Sequence, residues 1–207
     1  MKLTKLLERL DYKVVAGSDN IEITELVNDS RKVVPGSVFV CISGAVSDGH
    51  QYVKDVAEKG AAAVIVEKDV EVPEGLTVIK VEDTRYALAL TSAAYFGYPA
   101  EKLKTIGITG TKGKTTTTYM VKAILEEVGH KVGLIGTIEA IIGDKTIPSN
   151  NTTPESYTIQ KYFAQMVEAG CDCVVMEVSS QGLMLHRTAG IMFDIGIFTN
   201  LGEDHIG

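Results

Sequence analysis

The strongest constraint on the fold is a glycine-rich loop set between a short β-branched segment and a helical one. The loop, residues 110–115 (Gly-Thr-Lys-Gly-Lys-Thr), follows the run Thr105–Thr109 directly. It leads into residues 114–128, whose composition favours a helix that ends at Gly129. A strand, a glycine loop and a helix in this order are typical of α/β proteins with a parallel sheet.

The rest of the chain alternates between short apolar runs and helical segments. We predict strands at residues 37–42, 62–66, 78–81, 132–135, 173–178 and 195–199, and a hairpin over residues 138–147. Helices are predicted over residues 1–10, 50–59, 85–95 with Thr84 as the N-cap, and 154–169. Such alternation predicts parallel sheets with helices on both faces, whose ligands lie at the carboxyl ends of the strands.

The segment Gly97-Tyr98-Pro99 interrupts the alternation and sets a domain boundary. We expect a small N-terminal α/β domain over residues 1–98. Residues 99–207 are expected to form a P-loop-type domain with a mostly parallel, incomplete sheet and helices on both faces.

Composition limits the partners that the chain can attract. The formal net charge of −7 argues against binding to nucleic acid or to an anionic membrane by bulk attraction, so we predict neither partner. The sequence shows no signal peptide and no apolar run of membrane-spanning length. Cys41, Cys171 and Cys173 lie in or beside apolar runs and are expected to be core thiols. We therefore predict a cytoplasmic location.

The glycine loop has the sequence context of a phosphate site. Backbone N–H groups and a helix N-terminus converge on phosphate oxygens in such loops. We predict that ATP binds to Gly110, Thr111, Lys112, Gly113, Lys114, Thr115 and Thr116. Lys114 would reach the β- and γ-phosphates, and the Thr115 hydroxyl would ligate Mg²⁺. The alternative is a glycine turn with exposed lysines.

Glu177 is a second candidate on independent grounds. It ends the apolar run Cys173–Met176, which is predicted to be a buried strand. A strand there would deliver the Glu177 carboxylate to the sheet edge beside the glycine loop. A carboxylate in that position can hold Mg²⁺.

The loop sequence resembles the ATP loop of the Mur ligases and of the folylpolyglutamate synthetases. Residues 151–154 (Asn-Thr-Thr-Pro), 177–183 (Glu-Val-Ser-Ser-Gln-Gly-Leu) and 199–205 (Thr-Asn-Leu-Gly-Glu-Asp-His) are similar in type and order to the tripeptide-synthesising Mur ligases. Together with residues 29–31 and 44–49, these segments extend the resemblance over essentially the whole chain.

The resemblance implies a set of site residues. The first domain would hold a uridine nucleotide through Asn28, Ser30, Ala45, Val46 and Ser47. The second would hold the muramoyl-peptide end of the substrate through Asn151, Thr152, Thr153, Ser179 and Arg187. Lys114, Glu177 and His205 are implied as catalytic, with Glu177 and His205 beside Mg²⁺. Without the resemblance, Asn28 and Ser30 are ordinary turn residues and Arg187 an ordinary surface arginine.

The resemblance also implies a reaction. The family transfers the γ-phosphoryl group of ATP to a substrate carboxylate, and an amine then attacks the acyl phosphate to form an amide. The expected product is UDP-N-acetylmuramoyl-L-alanyl-D-glutamate extended by one amino acid, in peptidoglycan synthesis. Two alternatives remain open, a P-loop kinase of small molecules and a non-catalytic module that binds UDP-muramoyl-peptide and ATP.

Relatives continue past the position of Gly207. We therefore expect that this polypeptide alone does not complete ligation. An incomplete sheet would expose a strand edge and apolar surface, so self-association is also expected.

Overall fold

A computed structural model describes residues 1–44 and 47–203 and divides the chain into two units, Met1–Tyr95 and Phe96–Gly207. Three predicted site residues, Ala45, Val46 and His205, lie outside the described residues. Each unit is built around its own sheet.

The first unit is a five-stranded sheet with short helices. Its elements are α1 (Leu3–Leu6), β1 (Lys13–Ala16), β2 (Leu26–Val27), β3 (Val38–Val40), α2 (Val53–Glu58), β4 (Ala63–Val66), β5 (Thr77–Lys80) and α3 (Thr84–Tyr95), with 3-10 turns at Ser30–Lys32 and Gly49–Tyr52. The strand order is β1-β5-β4-β3-β2. All neighbours are parallel except β1, which runs antiparallel to β5. Every side chain of β4 is buried, as expected for a parallel strand covered on both faces.

Several local features of this unit differ from the sequence prediction. Helix α1 ends at Leu6 rather than at Leu10, because the chain turns there before it enters β1. The sequence analysis missed β1, whose side chains alternate between exposed and half-buried without a continuous apolar run. At the start of α3, the side chain that accepts free N–H groups belongs to Asp83, not to Thr84, and bonds the amides of Arg85 and Tyr86 at 2.7 and 2.9 Å.

The second unit is a six-stranded, mostly parallel sheet. Its elements are β6 (Lys104–Thr109), α4 (Lys114–Glu127), β7 (Val132–Ile135), β8 (Glu139–Ile142), β9 (Lys145–Pro148), α5 (Ser156–Glu168), β10 (Cys173–Glu177), α6 (Ser180–Met184) and β11 (Ile195–Phe198), after a 3-10 turn at Pro99–Lys102. The strand order is β11-β6-β10-β7-β8-β9. The first four strands are parallel, and β8 and β9 form the predicted hairpin. The predicted α/β class is confirmed.

The central strand β10 has one helix on each face. Met176 packs in the cluster that contains Phe163 of α5, whereas Val175 packs in the cluster that contains Leu125 of α4. Side chains of one strand alternate between the two faces, so both helices are needed to cover β10. Across the described parts of the chain, no helix has the length and apolar character needed to cross a bilayer.

Replacing Phe163 by Ala should destabilise the second unit. The side chain is fully buried between α5 and the sheet, and its removal leaves a cavity that costs about 3–5 kcal/mol. The matched control is Met120→Ala on α4, because Met120 is 59% exposed. Urea unfolding followed by circular dichroism should show a large loss of stability for the first variant alone. Equal stabilities would contradict the packing described here.

Candidate functional site

Three neighbouring parallel strands, β6, β10 and β7, end at one edge of the second sheet. In the register, Glu177 at the end of β10 lies beside Ile108 of β6. On its other side, β10 pairs with β7 through Met176 and Ile135. The glycine loop follows β6, and Thr137 follows β7. The sheet therefore brings the loop, a carboxylate and a threonine to the edge where α/β proteins bind ligands.

Two glycines give the loop its shape. Gly110 has a φ of +129°, and a Cβ on it would lie 2.2 Å from Thr199 Oγ1, so no other residue fits without movement of the chain. Gly113 has a φ of +83° and is the N-cap residue of α4. The loop thus delivers the chain to the start of a helix whose first N–H groups are free to bind an anion.

The end of β11 braces the loop from the side. Asn200 receives the amide of Lys112 on Oδ1 and donates from Nδ2 to the Lys112 carbonyl, both at 3.0 Å. The Thr199 hydroxyl donates to the same carbonyl at 2.8 Å. The Asn200 carbonyl accepts the Thr111 amide at 2.9 Å. Asn200 therefore holds the loop in place, a role that the segment Thr-Asn-Leu alone did not reveal.

The side chain of Lys114 folds back over the glycine loop. Its Nζ donates to the carbonyls of Gly110 and Thr111 at 2.7 and 3.2 Å. The ammonium group is therefore held over the same backbone that is predicted to surround phosphate. Positive charge and free helix N–H groups together favour an anion here.

Glu177 is the most buried ionisable group of the site, with 1% of its surface exposed. Oε1 accepts the Thr137 amide at 2.9 Å, and Oε2 accepts the hydroxyls of Thr137 and Thr115, each at 3.0 Å. A Cβ on Gly136 would lie 2.5 Å from Oε1, so that glycine gives the carboxylate room. The three donors are neutral, and a bound cation would balance the charge of the carboxylate.

A second carboxylate, that of Glu139, shares the neighbour Tyr119 with Glu177. Burial raises the pKa of Tyr119 to about 12, helped by its hydrogen bond to Glu139 and by the nearby charge of Glu177. The tyrosine hydroxyl is therefore protonated at neutral pH and donates to Glu139 Oε1 at 2.7 Å. Two carboxylates on one side of the site create a negative potential that attracts cations.

A cavity of about 280 Å³ lies between the glycine loop, Thr137 and Glu177. Its lining consists of Thr111, Gly113, Lys114, Thr115, Thr116, Thr137, Thr152 and Glu177. A cavity of about 380 Å³, lined by residues that include Lys131, Asp144 and Glu168, contains none of the predicted site residues. Convergent polar groups mark the smaller cavity as the candidate site. Its hydroxyl and carboxylate oxygens also suit Mg²⁺, which prefers oxygen ligands.

The predicted substrate residues near this cavity are tied to the strand end. The buried Thr153 hydroxyl donates to the Glu177 carbonyl at 3.0 Å and accepts the Ser179 amide at 2.9 Å. The Ser179 hydroxyl accepts the Gly182 amide at 3.0 Å and so caps α6. Thr152 lies in the cavity lining, and Asn151 is exposed beside it.

Arg187 is not an ordinary surface arginine, because its side chain is only 13% exposed. One Nη donates to the Thr153 carbonyl at 2.9 Å, and the other pairs with Glu155 at 2.7 Å. Its buried Nε has no hydrogen-bond partner among the described residues. The guanidinium group is therefore fixed against the Asn-Thr-Thr-Pro turn, with its Nε donor unmatched among the described residues.

In the first unit, the described substrate candidates follow two adjacent parallel strands. Asn28, exposed, and Ser30 come after β2, and Ser47 lies in the segment after β3. The Ser30 carbonyl accepts Lys59 Nζ at 3.0 Å. Ser47 Oγ lies 3.0 Å from the Tyr52 hydroxyl. These polar groups share one edge of the first sheet.

Thr137 belongs to the candidate site but was not predicted from the sequence. It supplies two of the three donors to Glu177, and its hydroxyl lies 3.0 Å from that of Thr152. The available signal was positional. Thr137 comes two residues after a buried strand, and the glycine loop also follows a buried strand, so both are expected at the same sheet edge.

Two protein-family models match this chain, one in each of its two units. The model for the Mur ligase family, catalytic domain, matches residues 22–98, and the model for the Mur ligase middle domain matches residues 108–207. The UDP-N-acetylmuramoyl-L-alanyl-D-glutamate–2,6-diaminopimelate ligase of Clostridium perfringens is 50% identical over 206 residues, which are 100% of this chain and 43% of that protein. The ligase of the same name from Bacillus licheniformis is 48% identical over 207 residues, which are 100% of this chain and 42% of that protein. The chain thus spans less than half the length of these relatives.

Solved structures agree in fold. A diaminopimelate ligase of the same name superposes with a TM-score of 0.82 at 22% identity, over 100% of this chain and 42% of the other. The MurF ligase of Thermotoga maritima, solved in complex with ADP, gives a TM-score of 0.57 at 23% identity. The match covers 88% of this chain and 38% of the other. Two family models in the expected order, and relatives matched over the full chain, show that this chain belongs to the Mur ligase family.

Proposed function

We propose that this chain supplies the UDP-muramoyl-dipeptide-binding and ATP-binding parts of an amide-forming ligase. The reaction would add 2,6-diaminopimelate to UDP-N-acetylmuramoyl-L-alanyl-D-glutamate in peptidoglycan synthesis. The observation that carries the proposal is the common cavity of the glycine loop and Glu177. The names of relatives at 48–50% identity support the choice of substrates.

The chemistry requires activation of a carboxylate, because an oxide ion is a poor leaving group. Transfer of the γ-phosphoryl group of ATP gives an acyl phosphate, from which an amine displaces phosphate. The protein's part is to position the phosphates and to stabilise their charge as the group moves. Backbone amides of the loop and the Lys114 ammonium group would do this.

Mg²⁺ would be held by Thr115 and Glu177, whose oxygens lie 3.0 Å apart. When bound, the ion would supply positive charge to the phosphate oxygens. Thr137 orients the Glu177 carboxylate for this task. His205 remains a predicted Mg²⁺-associated residue on the basis of the resemblance.

The muramoyl-peptide end of the substrate would meet Asn151, Thr152 and Arg187. An arginine fork grips a carboxylate through two parallel hydrogen bonds, and the dipeptide substrate carries carboxylates. Arg187 is already oriented by Thr153 and Glu155, so less side-chain entropy is lost on binding. Asn28, Ser30 and Ser47, with Ala45 and Val46, are the proposed contacts of the uridine nucleotide.

Lys114→Ala should weaken ADP binding about 10- to 100-fold, because a hydrogen bond to a charged group contributes about 1.5–3 kcal/mol. Titration calorimetry of the purified chain with ADP measures this. Lys161→Ala is the control, since Lys161 is exposed on α5 and lines no part of the cavity. Unchanged affinity in the Lys114 variant would remove the phosphate-site assignment.

Thr137→Val should reduce the gain in ADP affinity that Mg²⁺ provides by about tenfold, as expected when a residue that orients a metal ligand is lost. The variant removes the hydroxyl donor to Glu177 but keeps the size of the side chain. Thr137→Ser is the matched control and retains the hydroxyl. The measurement compares ADP affinity with and without Mg²⁺ in each protein. The same Mg²⁺ effect in all three would argue against a metal at Glu177.

Arg187→Ala should weaken binding of UDP-N-acetylmuramoyl-L-alanyl-D-glutamate about tenfold or more, through loss of charged hydrogen bonds. UDP alone lacks the peptide carboxylates, so its affinity should not change. Fluorescence or calorimetric titration with both ligands separates the effects. Equal weakening for both ligands would show a general structural defect instead.

A further inference from the structure

A second cluster of metal-binding side chains lies at the opposite edge of the second sheet. Among the described residues, one group of His, Cys and acidic side chains brings three ligand atoms within 4.8 Å of one another, and it consists of His130, Asp172 and Cys173. His130 precedes β7 and Asp172 precedes β10, so the cluster is at the amino ends of these strands. The glycine loop and Glu177 are at their carboxyl ends.

Two of the three side chains are already in hydrogen-bond contact, and the third lies close to both. His130 Nδ1 lies 2.7 Å from Asp172 Oδ2. The Lys131 amide donates to Asp172 Oδ1 at 3.0 Å and so fixes the orientation of the carboxylate. The Cys173 Sγ lies within 4.8 Å of the ligand atoms of His130 and Asp172. Asp172 thus contacts His130 through one oxygen, and its other oxygen is anchored by the backbone.

We propose that His130, Asp172 and Cys173 form a zinc site in which solvent supplies the fourth ligand. Thiolate, imidazole and carboxylate are the three ligand types that Zn²⁺ takes in proteins, and one of each is present. Mg²⁺ and Ca²⁺ prefer oxygen ligands and are disfavoured by a thiolate. The cluster therefore selects a different metal from the one proposed at Glu177.

The geometry needs only a small adjustment. Around a tetrahedral Zn²⁺, a ring nitrogen and a carboxylate oxygen lie about 3.4 Å apart, given metal–ligand distances of about 2.0–2.2 Å. The present nitrogen–oxygen distance is 2.7 Å. The side chains of His130 and Asp172 are 44% and 55% exposed, so they can separate without repacking the core. Cys173, buried on β10, provides the fixed ligand.

Charge also balances at the proposed site. Burial and the neighbouring Asp172 raise the pKa of the Cys173 thiol. On metal binding the thiol releases its proton to solvent and binds as thiolate, and His130 binds as neutral imidazole. One thiolate and one carboxylate then neutralise the two positive charges of Zn²⁺.

Bound zinc would tie the segment after α4 to the start of β10. Both positions lie at strand ends whose backbones are already joined, because the Asp172 amide donates to the Lys131 carbonyl at 3.0 Å. Since the metal binds the folded unit and not the unfolded chain, it would raise the stability of the second unit. This role is separate from nucleotide binding and does not depend on it.

The test is metal titration of the chelator-treated chain with Zn²⁺, followed by calorimetry, and with Co²⁺, followed by absorption. The expected result is one equivalent of Zn²⁺ and a thiolate-to-cobalt charge-transfer band. Cys173→Ser and His130→Ala should each weaken Zn²⁺ binding by at least about tenfold. Cys171→Ser is the matched control, because Cys171 is buried in the cluster packed against α5.

Absence of stoichiometric Zn²⁺ binding, a cobalt spectrum without the thiolate band, or equal affinity in the Cys173 and Cys171 variants would each overturn the proposal. Circular dichroism reports whether Cys173→Ser is folded. If it is not, His130→Ala decides the outcome, because His130 is exposed and its removal leaves the core intact.

Discussion

The buried carboxylate of Glu177 is the interaction on which the second unit's site depends. Burying an ion costs several kcal/mol unless hydrogen bonds and a counter-charge replace water. The three hydrogen bonds it receives come from two segments, the start of α4 and the turn after β7. If either segment moved, the carboxylate would lose donors that it cannot recover from solvent. Because both segments donate hydrogen bonds to the same charge, the positions of the glycine loop and of Thr137 are fixed relative to each other.

The glycine loop depends on a neighbour that is distant in sequence. Gly110 fits only because its missing side chain leaves room for Thr199, and the Asn200 side chain bonds both the amide and the carbonyl of Lys112. Strand β11 lies at the edge of the sheet and exposes apolar residues such as Phe198. It therefore positions the glycine loop as well as extending the sheet. The residues after it bond the backbone of the loop. A shift of β11 would therefore change the shape of the glycine loop.

The strand–loop–helix order, the mostly parallel sheet and the position of Glu177 could be predicted from sequence, because each depends on local patterns and on the rule that parallel strands end together. Strand β1 could not, since its side chains are half-buried and a bulge interrupts its pairing. Asp83 and Thr84 are both good N-caps, and only the backbone geometry selects Asp83. Thr137 carries no motif, and its role depends on a contact 40 residues away.

The hydrogen bonds also limit which predicted residues can meet a substrate through their side chains. A hydroxyl has one proton and two lone pairs. Thr153 uses its proton on the Glu177 carbonyl and one lone pair on the Ser179 amide, so it can accept one more bond but cannot donate to an anion. Arg187 differs, because it has five donors and its Nε is unmatched among the described residues. Under the proposed function, recognition of a substrate carboxylate would therefore depend more on Arg187 than on Thr153, whose hydrogen bonds fix Glu177 and Ser179 in place.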